Sequence, residues 1–224
     1  MDENTKIVSV DGYLIRNTMD DDFHVLHVHP TEKAFFADHK LYIPRDEVWV
    51  DFRYEKETDF LLSVQFFLER NEHGIPQHTP YLKLREIMKD KLCTKGPVPD
   101  FRLNEKTEGA NKIVGVDGSI VRQFIDPEFF AGGHYLVYAY IPEGEIWYDV
   151  FIDEREVEAV TLHEKIEVGL MKEGKNYDVA HEYARAHERE KRREEGGTYP
   201  GDFNYPWHGQ SLEAIIKNYY VVKS

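Results

Sequence analysis

Cysteine is nearly absent: Cys93 stands alone among 224 residues, so no disulfide can close within the chain. A chain that forgoes disulfides suits a reducing setting, and a cytoplasmic location is expected. Long apolar runs are also missing. No stretch approaches the roughly 20 residues that span a bilayer, so no membrane partner is expected. The opening segment, Met1-Asp-Glu-Asn-Thr-Lys-Ile7, has neither the basic flank nor the apolar core of a signal peptide. Basic charge is scarce. Lys and Arg number 28 against 42 Asp and Glu, a formal net charge of −14. Nucleic-acid binding depends on neutralising phosphates, so overall repulsion argues against a nucleic-acid partner. The densest basic cluster, Lys191-Arg192-Arg193, lies inside Glu188-Arg-Glu-Lys-Arg-Arg-Glu-Glu195 and reads as a solvated helix face. There is no phosphate-binding glycine loop and no Gly-x-Ser-x-Gly elbow. Asp117-Gly-Ser119 reads as a turn, and Cys93 has no catalytic partner signal.

What the chain does contain is one segment written twice. Lys6-Ile-Val-Ser-Val-Asp-Gly12 recurs as Lys112-Ile-Val-Gly-Val-Asp-Gly118. Both run on to an apolar pair and Arg, as Leu14-Ile-Arg16 and Ile120-Val-Arg122. Further on, Tyr42-Ile-Pro-Arg-Asp-Glu-Val-Trp-Val-Asp51 recurs as Tyr140-Ile-Pro-Glu-Gly-Glu-Ile-Trp-Tyr-Asp149. Two matches in the same order, with Trp and Pro among them, point to an internal duplication.

Each copy reads alike. Asp11-Gly12 and Asp117-Gly118 predict hairpin turns. Strands are expected over Phe23–His29, over Gly133–Tyr140, and at Val48–Phe52 and Ile146–Ile152. A helix follows in each copy. One starts at Thr58 or Asp59 and stops at Gly74; the other is capped by Asp153, presents Val157, Val160, Leu162, Ile166, Leu170 and Met171, and stops at Gly174. Second helices are expected near Tyr81–Lys91 and Tyr177–Glu195. The fold class is therefore α+β: a tandem duplication of a β-rich unit, four strands and a helical pair in each, with a C-terminal helical tail. The divisions fall at 1–105 for the first unit and a polar linker from Thr94 to Asn111, 106–198 for the second, and 199–224 for the tail. That tail, from Tyr199 through Trp207 to a short helix capped by Ser211, is expected to pack on the body.

Only the second copy carries a chemical pattern: Leu162-His-Glu-Lys-Ile-Glu167, a Gly174 turn, then Tyr177-Asp-Val-Ala-His181. On a helix, His163 and Glu167 share a face. A turn at Gly174 to Asn176 folds the next helix back and brings His181 alongside. Two histidines and a carboxylate from antiparallel helices make a three-ligand zinc site with one open position. Glu164, about 100° around the helix from His163, is placed to take a proton from a water on that metal.

The block resembles the zincin metalloprotease site, with His163 as first ligand and Glu164 as general base. It departs where Glu167 stands in place of a second His and His181 in place of a later ligand. It also resembles small prokaryotic and phage proteins with Leu-His-Glu-x-x-Glu, a Gly turn and Ala-His-Glu. The resemblance covers about 30 residues and implies a zinc-dependent hydrolase of peptide or amide bonds, with a protein or peptide as substrate. The first copy serves as an internal blank: Gln65, Phe66, Glu69 and Tyr81 align with His163, Glu164, Glu167 and His181.

Other histidines compete. His27 and His29 share a strand face, with His24 opposite. Glu182, His187 or Glu188 would substitute for or supplement His181, and His134, which opens the strand of the second copy, could approach the site. Tyr177 and Tyr148 are candidate oxyanion partners. A different class is a non-enzymatic interaction or assembly protein built on the duplicated unit. A carboxylate-bridged di-metal oxidase fits less well, because it needs four helices. Nothing in the sequence speaks to oligomeric state.

Overall fold

A computed structural model describes residues 5–18, 20, 23–28, 43–44, 46–68 and 80–196. Their contacts fall into two compact units, the second running from Pro80 to Glu195. The first holds β1 (Lys6–Val10), α1 (Gly12–Thr18), β2 (Leu26–Val28), β3 (Glu47–Asp51), a 3-10 turn at Phe52–Glu57 and α2 (Thr58–Leu68). The second holds α3 (Tyr81–Leu92), β4 (Arg102–Glu108), β5 (Asn111–Val116), α4 (Gly118–Phe124), β6 (Gly132–His134) and β7 (Glu145–Asp149). A 3-10 turn at Glu154–Glu156 then leads into α5 (Val157–Lys172) and α6 (Tyr177–Glu194). Helices and mixed sheets occur together, so the class is α+β.

The sheets run β1-β3-β2 and β4-β5-β7-β6. β1 lies parallel to β3, with Lys6 opposite Glu47 and Val10 opposite Asp51. β5 lies parallel to β7, with Lys112 opposite Glu145 and Val116 opposite Asp149. β2 and β6 run antiparallel to these partners. Segments matched in sequence thus hold matched places in the two sheets.

The hairpin expected at each Asp-Gly is not formed. The next strand along the chain does not pair with the one before the turn, because β3 lies between β1 and β2 and β7 between β5 and β6, and the glycine instead opens a helix, α1 or α4. Asp117 caps α4 by accepting from the backbone N–H of Ser119 at 3.0 Å and of Ile120 at 3.3 Å. Glycine is required next, because a Cβ at Gly118 would overlap the Asp149 carboxylate. Arg122 explains the rest of the repeated pattern. Its Nη1 donates to Asp149 Oδ2 at 2.7 Å and to the Phe129 carbonyl at 3.0 Å, and the Arg and Asp side chains are both fully buried. In the first unit Arg16 donates to the Phe23 carbonyl at 2.7 Å and lies 3.6 Å from Asp51. Asp-Gly, Arg and Trp-x-Asp are one device that ties a short helix to the sheet.

Other boundaries shift as well. Among the described residues, the order shared by the two units is β-α-β-β, and the second unit adds β4 at its sheet edge. Of the strands expected at Phe23–His29 and Gly133–Tyr140, Leu26–Val28 and Gly132–His134 form; His29 lies outside the described residues. After His134 the chain turns, with Val137 and Tyr138 both donating to the His134 carbonyl. The expected linker from Thr94 to Asn111 contains β4, an outer strand pairing antiparallel with β5. The boundary expected at 105/106 also moves, since α3 packs in the second unit: Arg85 pairs with Asp126, and Tyr81 donates to Glu128 at 2.8 Å. The expected tail, the Gly74 stop and Glu69 fall outside the described residues.

One face of the second sheet buries Val114, Val116 and Trp147 with Val121 and Phe129. The opposite face buries Ile113 and Ile146 against Val168 of α5. α5 therefore lies across the sheet, and α6 packs against α5. Among the described residues, no helix is long and apolar enough to cross a membrane.

Candidate metal centre

Two turns fix the helical pair. Asp153 accepts from the Arg155 N–H at 3.0 Å and starts the 3-10 turn before α5. At the far end Gly174 takes a positive φ of 88°, and the Lys175 N–H reaches back to the Leu170 carbonyl at 3.0 Å. Asn176 then caps α6 by accepting from Val179 N–H at 3.0 Å. The fold-back expected from the sequence is formed.

The face that α5 buries is not the expected apolar stripe. Its buried residues are Ala159, Val160, Thr161, His163, Glu167 and Val168, while Leu162 and Ile166 are half-buried. Two ionisable groups therefore sit on the inner face, and each must find partners there.

They find one another. His163 Nε2 lies 2.8 Å from Glu167 Oε1 and 3.2 Å from His181 Nδ1. His181 Nδ1 lies 2.6 Å from the same Glu167 oxygen. Tyr177, one turn earlier on α6, stacks on His181 with ring centres 5.3 Å apart. The three residues picked out by spacing are thus brought together, and their ligand atoms lie within 4.8 Å of one another.

Glu164 faces the same space from α5. Its side chain is only 12% exposed, and one oxygen lies 4.0 Å from His134 Nε2. Burial, and then the Glu167 charge, push its pKa well above the ordinary carboxylate range. β6 supplies the remaining wall. A Cβ at Gly132 would meet Val160 Cγ1 at 2.7 Å and Glu164 Oε1 at 3.3 Å, so glycine lets the strand approach α5.

His134 was not given a place by the sequence. Its Nε2 lies 2.9 Å from Glu167 Oε2, and its Nδ1 accepts from the Leu136 N–H at 3.2 Å. A backbone N–H can only donate, so these bonds assign the ring proton to Nε2. His134 therefore donates to Glu167, although it forms a second close group with Glu164 and Glu167.

Behind His163 lies a charged chain. His163 Nδ1 is 2.8 Å from Glu188 Oε2. Glu188 Oε1 accepts from Arg192 Nε at 3.0 Å and Nη2 at 2.6 Å, and Arg192 Nη1 donates to Glu156 at 2.8 Å. Burial opposes charge on His163, yet hydrogen bonds to Glu167 and Glu188 outweigh it and hold the pKa near about 10. Burial likewise opposes the Glu167 and Glu188 carboxylates. Hydrogen bonds from His134, His163 and His181 hold Glu167 well below its ordinary range, and His163 and Arg192 hold Glu188 at about 2.

The charge run ending α6 is accordingly not one solvated face. Lys191 reaches Glu158 and Glu195 at the surface, but Arg192 is 3% exposed. Alternating signs hid a buried position that only the partner helix reveals. Of the supplementary candidates, Glu188 joins the centre. Glu182 is exposed and belongs to neither close group, and His187 Nδ1 bonds its own helix at the Tyr183 carbonyl. Tyr148 is engaged with Asn104 at 2.9 Å, whereas Tyr177 stands beside the site. His27, in the first unit, accepts from the His24 N–H at 3.4 Å and belongs to neither close group found among the described residues. No family model matches the chain, and neither a curated protein nor a solved structure matches it.

Proposed function

We propose that the chain is a zinc-dependent hydrolase acting on a peptide or amide bond, with His163, Glu167 and His181 as metal ligands and Glu164 as general base. The observation that carries this reading is the meeting of His163 Nε2, His181 Nδ1 and Glu167 Oε1 at separations of 2.6 to 3.2 Å. Zinc bonds of about 2.1 Å at tetrahedral angles set ligand atoms about 3.4 Å apart. The three atoms need spread by less than about 1 Å to hold an ion. Two imidazoles and one carboxylate suit zinc, and three protein ligands leave a position open.

A zinc ion there would supply a Lewis acid that polarises a carbonyl and acidifies a water. Glu164 lies one residue beyond the first ligand, in a dry wall between α5 and β6, where it can take that water's proton. Burial raises its pKa above the ordinary carboxylate range, which favours its holding a proton once it has accepted one. His134 holds the second oxygen of Glu167 and leaves the first for the ion. Tyr177, partly exposed beside His181, stands where a substrate carbonyl would enter.

The test is turnover of a peptide library by zinc-loaded protein. Glu164→Gln should keep zinc and lose about 100-fold or more in rate. Full activity in that variant would remove Glu164 from the mechanism.

A second reading is favoured by the same distances, since 2.6 to 3.2 Å are also hydrogen-bond lengths. The cluster would then be a buried ionic tie in a non-enzymatic interaction protein. That reading expects His163→Ala to destabilise the chain equally with and without zinc present. The hydrolase reading expects zinc to stabilise the wild type and not the variant.

A further inference from the structure

We propose that Glu188, held by Arg192 against Glu156, is a positioning residue that makes Nε2 of His163 the metal-facing nitrogen. This rests on the metal reading of the site given above. A neutral imidazole carries one proton on either nitrogen, and only the other nitrogen can bind an ion. His163 Nδ1 lies 2.8 Å from Glu188 Oε2. An ionised carboxylate only accepts, so the proton stays on Nδ1. Nε2 faces Glu167 and His181, 2.8 and 3.2 Å away, and its proton is the one an ion held between these residues would displace.

Glu188 is itself held. Its other oxygen takes both Nε and Nη2 of Arg192, and Arg192 Nη1 reaches Glu156 at the start of α5. Glu156 is 1% and Arg192 3% exposed. A solvated Glu–Arg pair four residues apart on a helix contributes little and would not need such burial. A planar guanidinium in a dry gap fixes the carboxylate's rotation. The chain Glu156–Arg192–Glu188–His163 thus carries the register of α6 on α5 into the orientation of one imidazole.

Glu188→Gln is nearly isosteric and makes a sharp prediction. The Gln oxygen must stay with Arg192, which donates two bonds to it. The Gln NH₂ then faces His163 Nδ1 and favours the wrong tautomer, with the proton on Nε2.

The experiment titrates zinc into chelator-treated wild type and Glu188→Gln, with ring 15N–1H correlations of His163 in the zinc-loaded wild type. Expected are a loss of about tenfold to a hundredfold in zinc affinity for Glu188→Gln, and a proton on Nδ1 with zinc on Nε2 in the wild type. Unchanged affinity in a folded variant overturns the proposal, as does zinc on Nδ1 in the wild type, a result that does not depend on the variant folding. Wild type that binds no zinc overturns the metal reading itself, and the two failures are told apart by that first titration.

Discussion

His134 and His163 differ in a single respect that decides their roles: what each offers its second nitrogen. The Leu136 N–H donates to His134 Nδ1, which makes that ring a donor toward Glu167. Glu188 accepts from His163 Nδ1, which leaves Nε2 as the nitrogen that turns toward Glu167 and His181. His134→Ala should therefore weaken zinc binding by about tenfold or more without changing its stoichiometry. Calorimetric titration checks both quantities, and loss of a second ion would mean that His134 is a ligand. The pH dependence comes from His163. Metal-free, it sits between two carboxylates with its pKa raised to about 10, burial notwithstanding. Zinc must displace the Nε2 proton, so affinity should rise with pH, about tenfold per unit between pH 6 and 9, with about one proton released per zinc. Titrations in buffers of differing ionisation enthalpy read that proton, and affinity flat with pH would contradict it. His163, Glu167 and His181 were legible because a helix fixes which residues share a face. His134 was not, because its contact with Glu167 crosses from a strand to a helix and no local period encodes it.

Elements carry the precision of the site. α5 meets α6 through the Gly174 and Asn176 turn, and β6 meets α5 because residue 132 is glycine. Gly132→Ala would drive a methyl into Val160 and toward Glu164. The expected cost is about 1–3 kcal/mol of stability, together with weaker zinc binding; thermal unfolding and titration measure the two. The Arg122–Asp149 pair anchors α4 beneath the same sheet, with both side chains fully buried. Arg122→Met removes the cation buried against Asp149 and should cost about 3–5 kcal/mol, measured by chemical denaturation. A neutral effect would show that the pair is dispensable. Helices were more legible than strands here. Caps at Asp153, Gly174 and Asn176 are local signals, whereas Asp-Gly serves equally as a hairpin turn or a helix start. Asp149, far along the chain, decides between them. β4 escaped notice because Arg-Leu-Asn-Glu-Lys-Thr-Glu is largely exposed along its length and shows no apolar alternation.

At the scale of the whole molecule, two units share the order β-α-β-β, the same strand pairing and the same Arg–Asp tie. They differ in the helices attached to that core. In the second, the sheet is covered by a helical pair bearing the His and Glu cluster. In the first, α2 presents Gln65 at the position matched to His163, and α3, expected to complete a pair with it, belongs to the second unit through Arg85 and Asp126. The expected pairing of α2 with α3 rested on their succession along the chain, which carries no long-range information. The central claim is one zinc ion held by the second unit alone. The most direct test is metal content, by mass spectrometry, of protein purified without a histidine tag or chelator. About one zinc per chain is predicted, lost in His163→Ala and in His181→Ala and retained in Glu164→Gln. A folded wild-type chain without metal, or one holding two ions, would contradict it.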